Sequence, residues 1–403
     1  MKLQYPIELE EAVRLLTNQV CTQGQILTVP LERALGYHAA RDIYAPIDVP
    51  TFNRAGVDGY ALLSGRCESA TMEKPVVLCV QDELMAGDFR RDPVDDAQCV
   101  RIMTGAPIPN GLDAVIRQEE TNQDDGNVEV FSPVKPFANY GRIGEDISKG
   151  RLVISAFTKL APVHIGVLAS LGLSAVDALC LPRVGLLSSG SELAQLGQPL
   201  APGQIYCSNR HYLAAKLCQL GAEVVLSEQH RDDVDEFAAL IERSVGDVDF
   251  LITTGAVSVG KKDIMHDVIR KLGAKQLFWR INMRPGTPVL ASMYRGKPIL
   301  SLSGNPLAAL TTFELLFRPM LCAFLGSDAY ASKRNKAVLM NDLHKENRQR
   351  RFVGARYEDG RVWVGSLGKS SVLSNMLDCN CMIDIEADTP MLQKGSTVEV
   401  IML

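Results

Sequence analysis

A chain of 403 residues is too long for one ordinary hydrophobic core, so more than two domains are expected. With 46% hydrophobic and 22% charged residues it is no disordered polymer, and 42 basic against 47 acidic side chains (formal net charge −5) argue against a nucleic-acid protein. No basic leader precedes an apolar N-terminal run, and no apolar stretch is expected to approach the ~20 residues of a membrane helix, so a soluble cytoplasmic protein with no membrane partner is expected.

Glu8 to Leu16 carries apolar side chains at 9, 12, 13, 15 and 16, a helical face, and a second helix is expected from Pro30 to Leu35. From Tyr44 the texture changes. Ala45-Pro46 and Val49-Pro50 are extended X-Pro pairs. Asp58-Gly59 is a turn signal followed by the strand-like Tyr60 to Leu63. Lys74 to Asp82, Cys99 to Met103, Ala114 to Gln118 and Val128 to Phe131 read as further strands, and Thr104 to Pro109 as a rigid loop. Residues 46–144 are therefore expected to form an all-β insert. Gly141 to Gly150 ends it and gathers Arg142, Glu145, Asp146 and Lys149 between glycines, which as sequence alone reads as a solvated turn. A helical pattern returns from Lys159, with Pro162 at an early helical position and Gly172 at a C-terminal cap. That segment can pack on the N-terminal helices, making 1–45 and 145–180 one discontinuous helical domain.

From Arg183 strand and helix alternate at the spacing of a doubly wound sheet. Strands are expected at Val184–Ser188, Glu223–Leu226, Phe250–Ile252, Lys275–Trp279 and Pro298–Leu302, with helices after all of them but Lys275–Trp279, which leads into RINMRPGTPV. In open α/β sheets ligands bind beyond the strand C-termini. The loops there hold three kinds of group. Glu192, Asp232 and Asp263 are carboxylates able to hold Mg²⁺ or another hard cation. Arg280 and Arg284 suit bidentate phosphate or oxyanion contacts. Gly255, Gly260, Gly286 and Gly304 leave backbone accessible. Each has a plainer reading: Asp232 and Asp263 as helix caps, Glu192 as a first-turn acid, the arginines as surface charge. Their joint placement at successive strand ends favours a site.

A polar linker, Ser327 to Asn335, leads into a β-rich tail. Phe352–Tyr357, Asp359-Gly360 and Arg361–Val364 give a hairpin signal, and Val398–Met402 a closing strand. The basic run Lys345 to Arg351 reads as a solvated loop. Ten cysteines lack any CxxC pair and most read as buried thiols; Cys379-Asn380-Cys381 is the one close pair, too few ligands for a metal site. Six dispersed histidines form no HxH or HExxH.

The segment TTGAVSVGKKD, residues 253–263, resembles the signature loop of the molybdenum-cofactor biosynthesis fold. RIMTGAPIPNGLDAVIRQEET, GEDISKG, LSSGSEL with GQIYCSNR, RPGTPV and SGNPLAALTTFELLFRP follow the order of the MoeA family, the molybdopterin molybdenumtransferases, related to the C-terminal part of gephyrin. The resemblance runs almost end to end. It implies a multidomain α/β plus β architecture: the discontinuous helical domain, the β insert at 46–144, a molybdopterin-binding α/β domain at 181–326 and a C-terminal β domain at 327–403. It also implies a homodimer whose cleft lies between the α/β domain of one subunit and the β insert of the other, with a molybdopterin adenylyltransferase as donor. The implied reaction joins adenylylated molybdopterin and molybdate with Mg²⁺ or a similar ion and releases AMP.

By that resemblance Asp58, Thr104, Asp146, Glu192 and Asp263 are catalytic, and Glu192 and Asp232 hold the metal. Gly255, Ser258, Gly260, Arg280, Arg284, Gly304, Pro306 and Ser370 bind the cofactor precursor, with Ser374 in the same serine-containing stretch. Departures from the pattern are Ser191 for Asp or Asn, Ser303 for the first proline of PxGNP, Val57 for Met, Lys261 for Glu, and Arg280 and Arg284 for lysines. A tungstate-inserting paralogue, a molybdopterin-binding scaffold and a generic α/β phosphate-binding protein are the alternatives at this point; the β-insert motifs weigh against the last.

Overall fold

A computed structural model describes residues 5–20, 26–255, 257, 264–343, 348–365 and 373–403. The chain divides into two compact units, Thr28–Ala178 and a second made of Met1–Leu27 with Leu179–Leu403.

In the unit Thr28–Ala178 a six-stranded sheet runs in the order Ala114–Arg117, Gly59–Leu62, Gln98–Ile102, Val76–Leu84, Asn127–Val130, Thr121–Asp124. Both faces are covered, which is why its central strands read as continuous apolar runs rather than alternating ones. Ala61, Val100, Ile102 and Val115 pack on one face, and Tyr60, Leu62, Cys99, Ala114 and Ile116 on the other. The chain on either side of this sheet packs together through Val29, Leu31, Ala34, Ala39, Ile154, Leu160, Leu168 and Val176. Its helix is Pro162–Ser170, with proline in the first turn. The helix expected from Pro30 to Leu35 is a single 3₁₀ turn, Leu31–Arg33, because the preceding residues are committed to the strand Ile26–Pro30.

The helix Leu9–Thr17, expected beside that segment, belongs to the other unit. Ile7 is the reason: its N–H donates to the Arg280 carbonyl and its carbonyl accepts from Asn282 N–H, at 3.2 and 2.8 Å. There a second six-stranded sheet has the order Glu223–His230, Arg183–Ser189, Phe250–Thr254, Lys297–Leu302, Leu290–Tyr294, Lys275–Trp279. The first four strands are parallel. Leu290–Tyr294 runs antiparallel to both of its neighbours. All strands except Leu290–Tyr294 therefore end at the same edge of the sheet.

The helix Pro306–Leu325 is long and apolar enough by length and composition to cross a membrane, against the expectation that no stretch approaches this. Of that window 72% is buried inside the protein, so it is the core helix of this unit. A π-helical turn, Phe313–Phe317, interrupts it. Phe317 and Phe324 meet Phe250 edge-on at 5.4 and 5.2 Å between ring centroids. The one carboxylate in the π turn, Glu314, is wholly buried against Lys216 at 2.8 Å and against Arg318.

The C-terminal strands Arg350–Glu358, Arg361–Val364, Arg334–Leu339, Thr397–Met402 and Cys381–Ile385 pair in sequence, and Cys381–Ile385 pairs back with Arg350–Glu358. The ring closes around Ala337, Val353, Ala355, Val362, Ile383 and Val400. Met283–Arg284 adds one short strand to it. Arg350, expected in a solvated loop, is instead mostly withdrawn from solvent in a strand: it forks onto Asp384 with Nε–Oδ1 2.8 Å and Nη2–Oδ2 2.7 Å. The Cys379 and Cys381 thiols donate to the carbonyls of Asn375 and Ala355, so both are occupied by backbone.

Candidate active site

The five co-directed strands deliver their following loops to one edge. After Arg183–Ser189 the chain turns through Gly190 into Glu192. A side chain on Gly190 would meet Glu192 Oε1 at 3.0 Å and Leu193 Cγ at 2.9 Å, so glycine makes room for the carboxylate to fold over the turn. After Glu223–His230 comes Asp232. Ser189 Oγ donates to its Oδ1, and the Ser191 N–H donates to its Oδ2 at 3.3 Å. Asp232 is not the helix cap. That role falls to Asp233, whose Oδ1 accepts from the N–H groups of Asp235 and Glu236 at 2.8 and 2.9 Å. The sequence carried the signal: Asp233 and Glu236 have capping-box spacing. With Asp233 doing the capping, Asp232 is held at the sheet edge by two uncharged donors.

The third loop, after Phe250–Thr254, begins at Gly255. Its φ is +84°, and a Cβ there would overlap the Ser189 carbonyl oxygen. Gly304, after Lys297–Leu302, passes over it, with the position of a Gly304 Cβ lying 3.6 Å from the Gly255 Cα. Asn209 Nδ2 donates to the Gly304 carbonyl at 2.9 Å and so ties the helix Ser208–Gln219 to this crossing, a contact without a signal in the sequence. Pro306 is the first residue of its helix, and Asn305 caps it by accepting from Ala308 N–H. Ser303 Oγ, at the position of the missing proline, accepts from Asn305 N–H at 3.2 Å and so fixes the same turn by another means. Asp263, Ser258, Gly260 and Ser370 lie outside the described residues, as does Lys261.

Arg280 follows Lys275–Trp279 with φ +72°, left-handed backbone that costs a non-glycine residue on the order of 1 kcal/mol. Its guanidinium lies 5.2 Å from the centroid of the Trp279 ring. Arg284 is exposed and pairs in register with Arg351 on the C-terminal ring. Burial, followed by the charge of Arg284, holds the Arg351 guanidinium below the ordinary arginine range.

Among the described residues no group of three His, Cys, Asp or Glu gathers to hold a metal ion. Glu192 and Asp232 are the two carboxylates on neighbouring loops, and both offer hard oxygen donors. Such a donor set fits Mg²⁺, which is commonly held by one or two carboxylates with waters and substrate phosphate in the other positions.

In the other unit, Asp58 and Thr104 come together. Asp58 Oδ1 accepts from both Thr104 N–H and Thr104 Oγ1, each at 2.7 Å. These two bonds, hydroxyl first and backbone second, hold the exposed Asp58 carboxyl below its ordinary range. Thr104→Val is therefore expected to raise the Asp58 pKa towards that of an ordinary aspartate, read by NMR titration of the side-chain carboxyl; an unmoved titration would show that the hydroxyl has no part in holding it. Asp146 lies in the same unit, with its N–H on Val49 O at 3.1 Å and its carbonyl accepting from Arg151.

Three families match the chain in order. The MoeA N-terminal region (domain I and II) covers residues 7–172, the probable molybdopterin binding domain 185–323, and the MoeA C-terminal region (domain IV) 336–403. The chain belongs to the MoeA family. The molybdopterin molybdenumtransferase of Bacillus subtilis is 34% identical over 409 residues, covering 99% of this chain and 94% of that one. Molybdopterin molybdenumtransferase 2 of Mycobacterium tuberculosis is 34% identical over 382 residues, 93% of this chain and 94% of that one. Two crystal structures of the molybdopterin biosynthesis protein MoeA from Pyrococcus horikoshii superpose with TM-scores of 0.87 and 0.81, at 31% and 27% identity, each covering 99% of this chain and 99% and 100% of theirs. As a MoeA-family protein this chain is a transferase of molybdenum cofactor biosynthesis, and Glu192, Asp232, Arg280, Arg284 and the glycine crossing lie in the region that matches the probable molybdopterin binding domain.

Proposed function

We propose that this MoeA-family chain inserts molybdate into adenylylated molybdopterin in a Mg²⁺-dependent reaction that releases AMP. The observation that carries this reading is Asp232 set beside the Glu192 turn, with the Gly255–Gly304 crossing against Ser189 of the same turn and Arg280 following the far strand of the same sheet. A pyrophosphate and a doubly charged oxyanion need cations and accessible backbone N–H groups. Glu192 and Asp232 would hold Mg²⁺, which when bound polarises a phosphoryl oxygen and stabilises the leaving AMP. Arg280 and Arg284 orient the phosphates by bidentate contact where a lysine would offer a point charge. The crossing at Gly255 and Gly304 lets the ligand approach main chain. In net terms the two dithiolene sulfurs replace two molybdate oxygens, which leave as water once protonated, and water cleaves the phosphoanhydride bond with AMP as the leaving group.

The working form in this proposal is a homodimer, each cleft combining Glu192, Asp232 and the loop carrying Asp263 from one subunit with Asp58, Thr104 and Asp146 from the partner. A molybdopterin adenylyltransferase is the donor. Mixed dimers test this directly. Asp58→Asn and Asp232→Asn homodimers are each expected to lose metal insertion by about 100-fold or more. Reassociated together they are expected to regain about a quarter of wild-type activity, because half the dimers then carry one intact cleft. No recovery on mixing would place both residues in a cleft of one subunit. Tungstate, near-identical to molybdate in charge and shape, is the second reading, and it is separated from molybdate by the metal recovered in the product.

A further inference from the structure

Ser189 is the last residue of its strand and is 4% exposed. It sits opposite His230, so Asp232 is the second residue beyond its neighbour on the adjacent strand. The Ser189 hydroxyl donates to one oxygen of Asp232, and the N–H of Ser191, two residues on, donates to the other. The main chain of Ser189 is fixed as well: its carbonyl oxygen packs where a Gly255 side chain would be. The hydroxyl therefore projects from backbone that is clamped by the sheet on one side and the Gly255 loop on the other.

We propose that Ser189 is a positioning residue, whose hydroxyl holds the Asp232 carboxylate in the orientation that meets a divalent cation together with Glu192. The proposal rests on the reading that these two carboxylates take the cation. A carboxylate has about four lone-pair positions. Ser189 and Ser191 occupy one on each oxygen and leave one on each for a cation. Both donors are uncharged, so they fix direction without competing with a metal for the negative charge. The Ser191 bond is the longer of the two, and without the Ser189 hydroxyl it alone restrains rotation of the carboxylate. Outer partners of this kind typically set ligand affinity by 10- to 100-fold. Asp233 carries the capping of the following helix, so the Ser189–Asp232 bond is not explained by helix termination.

The test is Mn²⁺ binding to the full chain, followed by electron paramagnetic resonance of the free ion, with thermal melting measured alongside. Wild type, Ser189→Ala, Ser189→Thr and Asp232→Asn are compared. Ser189→Ala is expected to weaken Mn²⁺ binding about tenfold, Ser189→Thr to stay within about twofold of wild type, and Asp232→Asn to lose the site. If Ser189→Ala does not fold, Ser189→Cys, a much weaker donor of similar volume, replaces it with the same tenfold expectation. Wild-type affinity in Ser189→Ala alongside loss in Asp232→Asn would overturn the role of Ser189 and leave the cation site standing. Equal weakening in the Ala and Thr variants would make Ser189 a packing residue only, and also overturns the proposal. Wild-type affinity in Asp232→Asn would overturn the cation reading itself.

Discussion

Gly255→Ala is expected to abolish turnover and to destabilise the molybdopterin-binding domain by about 3–5 kcal/mol. Two penalties combine. A backbone φ of +84° costs an alanine roughly 1–2 kcal/mol. The added methyl also overlaps the carbonyl oxygen of Ser189, main chain in the middle of a paired strand end that has no side-chain rotation available to escape. Relief requires the Ser189 turn or the Gly255 loop to move; the first displaces the donors of Asp232 and the second opens the Gly255–Gly304 crossing. A shift of about 1 Å at a reacting centre lowers rate by about 100-fold. Gly304→Ala is the control. Its methyl would lie 3.6 Å from the Gly255 Cα, an ordinary contact, at a residue without positive φ. Thermal melting of the two variants, side by side, checks the steric part; equal destabilisation would show that the crossing is not the tight point described.

Asp384→Ala is expected to cost about 3–5 kcal/mol, measured by urea unfolding followed at the C-terminal β ring. Its side chain is 2% exposed and accepts both arms of Arg350 as well as Arg334 Nη1 at 3.0 Å. These bonds, with a contribution from Glu10, raise the Arg350 guanidinium above its already high ordinary pKa, so the cation cannot be relieved by losing a proton. Removing the carboxylate leaves Arg350 nearly buried with its ion pair to Glu10 on the N-terminal helix as its principal support. Asp384→Asn keeps the shape and separates charge from packing; it is expected to destabilise in the same direction. A loss below about 1 kcal/mol would place this pair among surface ion pairs.

The parallel core was legible because buried α/β strands are apolar runs between amphipathic helices, and each of the five strands expected there exists. The strand Leu290–Tyr294 was not. Its turn is Arg295-Gly296, both with positive φ, joining Tyr294 directly to its partner Lys297. That is the backbone of a two-residue hairpin turn without the Asn-Gly or Asp-Gly pair that announces one. Arg350 was misread because a basic run looks solvated, and the carboxylate that buries it stands 34 positions away in sequence. The Pro306–Leu325 helix escaped notice as a long apolar segment because Glu314 and Arg318 interrupt it, and these form an ion pair with each other inside the core. Within the site, residue types placed Glu192, Asp232, Arg280 and Arg284 on strand-end loops. The capping-box spacing of Asp233 and Glu236 marked the cap, but what holds Asp232 was not legible, because its donors Ser189 and Ser191 belong to another strand and its loop. Ser189 was invisible for a related reason: a serine at a strand end has no distinctive spacing, and only the fold brings Asp232 to it.

The central claim is a molybdate-dependent group transfer at this edge of the sheet. It is tested most directly by AMP release from adenylylated molybdopterin, with purified chain and Mg²⁺, in the presence of molybdate, of tungstate, and of neither. Release that requires an oxyanion and falls by about 100-fold in Asp232→Asn is the predicted result. Tight binding of adenylylated molybdopterin without AMP release under any of the three conditions would contradict it and assign this chain a binding role instead.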